Sequence, residues 1–299
     1  MPIENPSVLS QILAGEMATD FPLVMPGGRL TTTQNNPLGD SAGSPKVYYV
    51  PYIHPFIPVY NNSTQLWNYL RVPDAGVEVG LVTGPNGTMD IYAGGSQTSQ
   101  LFFSRQGWAS GSGRLYPLAN KGIKVINFGS AITERYRTYL GTIRSSGTEA
   151  SVIYQDSVLR RHVWNAYNRI HKPLVAVESA ASWSINNTVS RTLANARNTL
   201  IEFVSGEDSL SFEVRGRFSA YVPPGSFAVF SMLINGTYGG YEQVVLTPGI
   251  SGESSVCNET LNRTALGINT VEATESYAGS STPTGYGYSR SGLRGMWFC

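Results

Sequence analysis

Charged residues are scarce in this sequence, and those present are balanced in sign. Only 14% of the 299 residues are charged, and 21 Lys and Arg against 20 Asp and Glu leave a formal net charge of +1. Proteins that hold nucleic acid or an anionic membrane surface electrostatically carry a clear basic excess. We therefore expect no nucleic-acid partner and no membrane partner, and partners with neutral surfaces are favoured.

Cysteine and long apolar runs are also nearly missing. Cys257 and Cys299 are the two cysteines, which is too few for a disulfide framework. In a protein assembled in a reducing cytosol we expect two free thiols, with a single bridge as the alternative. No run approaches the ~18 apolar residues of a membrane span, and the N-terminus lacks the basic start and apolar core of a signal peptide. The sequence therefore predicts a soluble chain.

The spacings that mark a catalytic or metal site are missing as well. His54, His162 and His171 are the three imidazoles, and none falls in a His-Glu-x-x-His pattern. No Gly-x-Ser-x-Gly elbow, P-loop or dinucleotide fingerprint occurs. We expect no catalytic residue, no metal and no cofactor, and a structural role for His162.

Glycan cleavage is the enzymatic alternative, because it needs only a pair of carboxylates roughly 5–10 Å apart. The sequence does not show such a distance, and strand alternation or loop solvation accounts for each acid separately. The candidate acids are Asp74, Glu78, Asp90, Glu202, Glu207, Asp208, Glu213, Glu272 and Glu275.

Glycine and proline are abundant, with 32 and 17 residues, and 41% of the residues are hydrophobic. This composition is typical of a chain with many turns, few solvated helices and enough apolar surface for a core. Short β-prone runs between turn residues predict a mainly β fold with two antiparallel domains, sandwich-like or jelly-roll-like, over residues 23–144 and 174–299. The predicted strands are 46–52, 56–60, 65–70, 77–83, 89–93, 101–104, 123–128, 174–178, 182–185, 200–204, 209–214, 226–233, 241–246, 265–275 and 293–298.

The N-terminal segment, residues 1–22, has helical spacing instead. Val8, Ile12 and Leu13 form a short apolar stripe. A helix of about three turns is marginal alone, so it needs a surface to pack on. We interpret the segment as an attachment device that docks on another protein; packing on its own chain and bundling with copies of itself are the alternatives.

A second helical pattern lies in residues 145–173, which we interpret as a linker followed by a helix. Apolar residues at 159, 163, 167 and 170 predict a helix of roughly four turns over 156–170. A helix between two β domains is a good place for symmetry-related copies to meet. The predicted oligomer interface is therefore Val163, Trp164, Tyr167 and Ile170, and packing on a neighbouring sheet is the alternative.

Tyrosines near glycine-rich turns are candidate binding residues. Tyr238 and Tyr241 flank a Gly-Gly pair, and Tyr286 and Tyr288 lie in a Gly-Tyr-Gly-Tyr stretch. Rings on small-residue loops offer stacking faces for neutral sugars or anchors for a protein. We predict that these four residues belong to receptor-binding loops, with packing inside the chain or on a neighbouring subunit as the alternative.

Six stretches, in order along about 270 residues, carry a resemblance to a known family. They are Gly28-Arg-Leu-Thr31, Tyr48-Tyr-Val-Pro-Tyr52, Arg137-Thr-Tyr-Leu-Gly-Thr-Ile143, Asp156-Ser157 with Arg161-His-Val-Trp-Asn-Ala-Tyr-Asn-Arg-Ile170, Ile201-Glu-Phe-Val204 and Ser291-Gly-Leu-Arg-Gly-Met-Trp297. Together they resemble a module of tail-fibre and other minor structural proteins of tailed bacteriophages. The resemblance implies a virion component that carries no catalytic motif and forms a trimer.

The expected function is that of a phage virion structural protein, assembled in the host bacterial cytoplasm. We expect a fibre or fibre-like homotrimer that attaches through its N-terminus to a baseplate, tail or capsid protein. Its C-terminal domain is expected to bind a host-surface glycan or protein, or a neighbouring virion protein. A baseplate or capsid decoration component without receptor binding is one alternative, and a glycan-cleaving tailspike is the other.

Overall fold

The computed structural model describes residues 24–61, 66–80, 84–95, 101–108, 117–120, 123–127, 136–188, 191–192, 199–238, 244–246, 251–258, 264–279, 281–286 and 291–299. These residues form mainly antiparallel β-sheets, as the composition predicted, and they contain no α-helix. Within the same ranges, no helix has the length and apolar character needed to span a bilayer.

The strands are short, and proline or glycine separates many of them. In chain order they are β1 (Gly28–Thr31), β2 (Ser41–Ser44), β3 (Val47–Pro51), β4 (Phe56–Asn61), β5 (Leu66–Arg71), β6 (Val77–Val79), β7 (Thr88–Gly95), β8 (Leu101–Gly107), β9 (Leu118–Asn120), β10 (Ile123–Asn127), β11 (Tyr136–Thr148), β12 (Ser151–Asp156), β13 (Arg160–Arg161), β14 (Val163–Asn165), β15 (His171–Val177), β16 (Ser182–Ser184), β17 (Arg191–Thr192), β18 (Leu200–Ser205), β19 (Glu213–Tyr221), β20 (Ser226–Ile234), β21 (Thr237–Tyr238), β22 (Val244–Leu246), β23 (Ser251–Asn258), β24 (Gly267–Gly279), β25 (Thr284–Tyr286) and β26 (Gly292–Phe298).

The chain divides into two compact units. The first comprises Met1–Asp156 and His162–Arg169, and the second comprises Ser157–Arg161 and Ile170–Cys299. The sequence pattern of residues 145–173 indicates a linker and a helix. In the structure, part of this range belongs to the first unit and part to the second.

In the first unit, the long strand β11 organises the sheet. It pairs antiparallel with β10 near its start, with β7 and β14 along its middle, and with β12 at its end. Beside it, β3 pairs with β1 and β6, and β4 pairs with β5. Alternate side chains of these strands meet in one apolar cluster. Its buried members are Leu30, Val47, Tyr49, Ile57, Val59, Leu70, Val72, Val79, Met89, Ile91, Ala93, Leu140, Ile143, Tyr154 and Val163.

The helix predicted over residues 156–170 is wrong. This segment contains the strands β13 and β14 and then a bend, and Val163 and Trp164 pair with β11. All six residues from 161 to 166 are buried, whereas a helix on a sheet buries only one stripe. The helical spacing of the apolar residues at 159, 163, 167 and 170 was accidental. Val163 and Trp164 favour strands, and pairing with β11 determined the structure here.

Two asparagines hold this segment against β1. The Asn165 carboxamide accepts a hydrogen bond from Leu30 N at 2.7 Å and donates one to Leu30 O at 3.3 Å, as a neighbouring strand would. Asn168 has a positive φ of 54°, which asparagine tolerates well, and its Nδ2 donates to Pro26 O at 2.7 Å. The side chains therefore replace backbone pairing at this edge of β1.

Asn165→Ala is expected to lower the free energy of unfolding by about 2–3 kcal/mol, because it leaves the N–H and C=O of Leu30 buried without these partners. Urea unfolding followed by fluorescence measures the loss. Asn186→Ala, at an exposed asparagine, is the control and should change stability by less than about 0.5 kcal/mol. Equal stabilities of the two variants would show that the Asn165 side chain does not hold β1.

The second unit contains two sheets. In one, the strands lie in the order β15-β26-β19-β25-β16, with β23 also paired to β19. In the other, β24 pairs with β18, β20 and β17, and β13 runs parallel to β18. The sheets pack face to face through aromatic rings: Phe203 lies 4.8 Å from Trp297, and Phe218 stacks on Phe230 at 4.9 Å. Two mainly antiparallel sheets thus pack face to face, as they do in a β-sandwich.

Candidate interaction surface

One face of the sheet β15-β26-β19 points away from the sandwich core. Leu174, Leu293 and Trp297 point inwards and are buried, so alternation turns their neighbours outwards. We call the outward-facing set the outer face. It consists of His171, Pro173 and Val175 on β15, Arg294, Met296 and Phe298 on β26, and Glu213, Arg215 and Arg217 on β19.

One end of the outer face is apolar. Met296 and Phe298 are 41% and 38% exposed, although a solvated sheet face ordinarily carries polar side chains. The rings of His171 and Phe298 lie 4.9 Å apart across the strand pair. An open cleft of about 190 Å³ lies here, lined by His171, Ser211, Phe212, Glu213, Met296 and Phe298. The cleft offers an apolar side chain of a partner a place to bind.

The other end of the outer face is basic. Arg215 on β19 lies directly opposite Arg294 on β26, and Arg217 follows two residues along β19. All three are exposed. Glu213 lies two residues before Arg215, and its carboxylate forms an ion pair with Arg215 Nε at 2.7 Å. The outer face therefore combines three cations with one carboxylate.

The edge of this sheet beside β15 is closed to further strands. Pro173 has no N–H, and its carbonyl accepts two hydrogen bonds from the Arg161 guanidinium, at 3.2 and 3.0 Å. Val175 N donates to Val158 O at 2.8 Å. Because the free backbone groups of an edge strand are what a partner strand would bind, a partner is directed to the outer face and not to this edge.

The residues of the predicted attachment and receptor-binding sites are mostly not described by the structure. Val8, Ile12 and Leu13 lie outside the described residues, as do Tyr241 and Tyr288. Tyr238 ends β21 after a tight turn at Asn235-Gly236, whose φ angles of 51° and 76° are typical of a hairpin. Tyr286 ends β25. These two tyrosines lie on strands of different sheets, and both site assignments stay predictions.

Of the predicted oligomer-interface residues, Val163, Trp164 and Tyr167 lie in the first unit and Ile170 lies in the second. Val163 and Trp164 are 1% and 0% exposed, so their side chains are already covered within the chain. Tyr167 is partly exposed, and its hydroxyl accepts a 2.6 Å hydrogen bond from Lys124 N; burial raises its pKa. Ile170 pairs through its backbone with Cys299. The helical surface on which the interface was based does not exist, whereas the trimer itself stays a prediction.

Residues of the stretches that carry the family resemblance build the cores of the two units, and Met296 of the last stretch also lines the cleft. In the first unit, Arg137–Ile143 pairs with Val163–Asn165, and Asn165 binds Leu30 of the first stretch. Tyr49 Oη of the second stretch accepts a hydrogen bond from Gly28 N at 2.9 Å. In the second unit, Phe203 and Trp297 join the last two stretches. The residues that carry the family resemblance are therefore mainly residues that pack in the cores of the two units.

Several acids of the described residues have structural partners. Buried Asp90 accepts a 2.6 Å hydrogen bond from Thr142, and buried Glu275 accepts one of 2.6 Å from Trp183 Nε1. Four exposed or partly exposed acids form ion pairs, namely Lys46–Glu78, Arg71–Asp74, Arg160–Glu202 and Arg215–Glu213. Within the described part of the chain, no group of three or more His, Cys, Asp or Glu side chains is placed to hold a metal ion.

The outer face was not predicted from the sequence, although one signal for it is present. In β26, Leu293 and Trp297 occupy one parity of the strand, and Met296 and Phe298 occupy the other. A strand with apolar side chains on both faces either has both faces buried or leaves one apolar face exposed to solvent. Sequence alone does not distinguish these cases, whereas the exposed fractions do.

Comparisons with known proteins leave the family open. No protein-family profile matches the sequence, and no curated protein matches it. Similar solved structures include infectious bursal disease virus, Gt strain, at 13% identity over 98% of this chain and 78% of that chain, with a TM-score of 0.30. The VP2 subviral particle of infectious bursal disease virus is 10% identical over 98% and 78%, with a TM-score of 0.28. The insecticidal delta-endotoxin Cry8Ea1 of Bacillus thuringiensis is 9% identical over 91% and 51%, with a TM-score of 0.27. Such low scores do not establish a common fold.

Proposed function

We propose that this chain is a non-enzymatic structural subunit of a bacteriophage particle, of the fibre or fibre-like kind. In this proposal, residues 1–22 attach the subunit to another virion protein and three copies associate. The second unit presents a binding surface to a host receptor or to a neighbouring protein. The six stretches that resemble tail-fibre and minor structural proteins support the assignment to a virion.

The outer face is the observation that carries the binding part of the proposal. Met296 and Phe298 stay exposed on a sheet that already buries its other face, so they contribute nothing to the sandwich core. Contiguous exposed apolar side chains rimmed by polar ones are typical of surfaces that bind a partner. The closed edge at Pro173 and Arg161 favours binding on the face over strand addition.

A stripe variant tests attachment. The triple variant Val8→Ser/Ile12→Ser/Leu13→Ser removes the apolar stripe, and we expect the variant chain to fold. Its amount in purified particles should fall at least about tenfold, because a loss of roughly 1.4 kcal/mol of docking energy lowers binding tenfold. Quantitative immunoblotting of particles measures this. The matched control is Ser7→Ala/Ser10→Ala/Gln11→Ala, which changes neighbouring polar positions and should incorporate normally.

Four results would overturn parts of the proposal. Absence of the unmodified chain from purified particles would remove the virion role, and normal incorporation of the stripe variant would remove the attachment role. Immunogold labelling on a capsid lattice or at an internal baseplate position would replace receptor binding by a decoration or baseplate role. Release of reducing ends from host polysaccharide, abolished by one acid-to-amide change, would make the chain an enzyme.

A further inference from the structure

The arginine pair on the outer face is unfavourable for an isolated sheet. Arg215 and Arg294 are directly opposite on adjacent antiparallel strands, and like charges in that position destabilise a sheet. Arg215 is paired with Glu213 at 2.7 Å, just as Lys46, Arg71 and Arg160 are paired with carboxylates at 2.7–2.8 Å, so Arg294 carries the excess positive charge of these two strands. A face required only to be soluble would have the opposite signs across these two strands.

The arginine pair and the apolar cleft are arranged with the period of an extended chain. Met296 of the cleft and Arg294 are two residues apart on the same face of β26, a separation of about 7 Å. Arg215 and Glu213 repeat that spacing on β19. An extended polypeptide lying along the face would therefore present an apolar side chain to the cleft and, two residues on, a carboxylate to the guanidinium groups.

The cleft is large enough for one such side chain. Its volume is about 190 Å³, and an apolar cavity of roughly 150 Å³ accommodates a benzene ring. Phe212, Met296 and Phe298 line it with carbon and sulfur, beside polar groups of His171, Ser211 and Glu213. The apolar part of this wall suits an aliphatic or aromatic group better than a sugar with its hydroxyl groups. The lining therefore favours a polypeptide over an acidic glycan.

We propose that the outer face binds an extended acidic segment of a partner protein. The segment places an apolar side chain in the cleft lined by Met296 and Phe298 and, two residues further along, a carboxylate against Arg294 and Arg215. This inference rests on the proposed function, since it specifies the neighbouring protein or protein receptor that the subunit binds. Charge complementarity selects the acidic partner, and the closed edge at β15 selects face-on binding.

Two synthetic peptides test the inference on the purified full chain. Ser-Leu-Ser-Glu-Ser-Glu-Ser carries the proposed pattern, and Ser-Leu-Ser-Lys-Ser-Lys-Ser is its charge-reversed control. By fluorescence anisotropy we expect the Glu peptide to bind at least about tenfold more tightly than the Lys peptide, and to weaken as salt is raised. A third peptide, which is the Glu peptide with Ser in place of Leu, should bind clearly more weakly than the Glu peptide, because it has no apolar side chain for the cleft.

Arg294→Glu separates binding from folding. It places opposite charges across the strands, so the melting temperature should stay the same or rise, while affinity for the Glu peptide falls at least about tenfold. Arg71→Glu, an equal charge change on an exposed arginine of the first unit, should keep wild-type affinity. These measurements need no particle, so their outcome is independent of incorporation into a virion.

The inference is overturned if the Glu and Lys peptides bind equally or not at all, or if Arg294→Glu retains affinity for the Glu peptide. Binding of oligogalacturonate in place of the peptide, lost in Arg294→Glu, would also overturn it, because the ligand would then be an acidic glycan. A chain that binds the Glu peptide but is absent from particles would leave this inference standing and remove the proposed function.

Discussion

Trp164→Ala is expected to lower the free energy of unfolding of the first unit by about 3–5 kcal/mol, the usual cost of truncating a buried tryptophan. Trp164 is 0% exposed, and its ring lies 6.3 Å from that of Tyr139. The cations of Lys124 and Arg169 lie over the ring, at 5.9 and 5.4 Å from its centre. Alanine would remove the ring contacts and the cation–π attraction, and would leave a cavity that strands β11 and β14 cannot close.

The measurement is denaturant unfolding, followed by circular dichroism so that the lost fluorophore does not bias it. Trp67→Ala is the control within the same unit, because Trp67 is partly exposed and makes an edge contact with Tyr60 at 5.5 Å. We expect it to cost clearly less, about 1–2 kcal/mol. Equal losses for the two variants would mean that the Trp164 ring is not a central packing element.

Trp164 also shows how a correct residue can be given an incorrect role. Trp164 was predicted to lie in an oligomer interface, because the helical spacing of residues 159, 163, 167 and 170 suggested an intersubunit helix. The structure covers its side chain within the chain instead. Spacing alone does not reveal that Asn165 and Asn168 bind the backbone of residues 26–30, more than 130 residues away.

Strands with simple alternation were predicted well, because only one arrangement buries their apolar side chains. In β20, Ala228, Phe230 and Met232 are buried while Phe227 is exposed, and the predicted strand 226–233 differs from the observed one by a single residue. In contrast, the stretch 209–214 was predicted as a strand, whereas β19 starts at Glu213 and continues to Tyr221. The strand was missed because Arg215 and Arg217 occupy every second position and looked like loop residues. Polar residues at every second position are, however, typical of a strand with one exposed face.

The candidate site was harder to predict than the fold, for a physical reason. Arg215 and Arg294 are 79 positions apart, and only the register between β19 and β26 makes them neighbours. Composition and local pattern determine which residues form strands, but they do not determine which strands pair. The cleft likewise depends on His171, Phe212 and Phe298 from three separate segments.

Gly141→Ala is expected to be at least as damaging as Trp164→Ala, with a loss of at least about 3 kcal/mol or failure of the first unit to fold. Gly141 lies where β11 pairs with both β7 and β14, opposite Ile91 and Asn165. A Cβ atom there would lie 2.2 Å from Trp164 O and 3.0 Å from a Leu30 methyl group. The closest atom is a backbone carbonyl oxygen, which cannot rotate away as a side chain could.

Relief of this clash would have to move β14, and the bulge between Tyr139 and Gly141 shows that β11 is already irregular at this point. Moving β14 would also pull Asn165 from Leu30, so the loss of that hydrogen-bond pair would add to the steric cost. Gly107→Ala is the matched control, because a Cβ at the end of β8 meets no atom within 4 Å. Chemical denaturation and soluble yield should show Gly107→Ala within about 0.5 kcal/mol of the unmodified chain. If Gly141→Ala were equally stable, β11 and β14 could not approach each other as closely as their pairing requires.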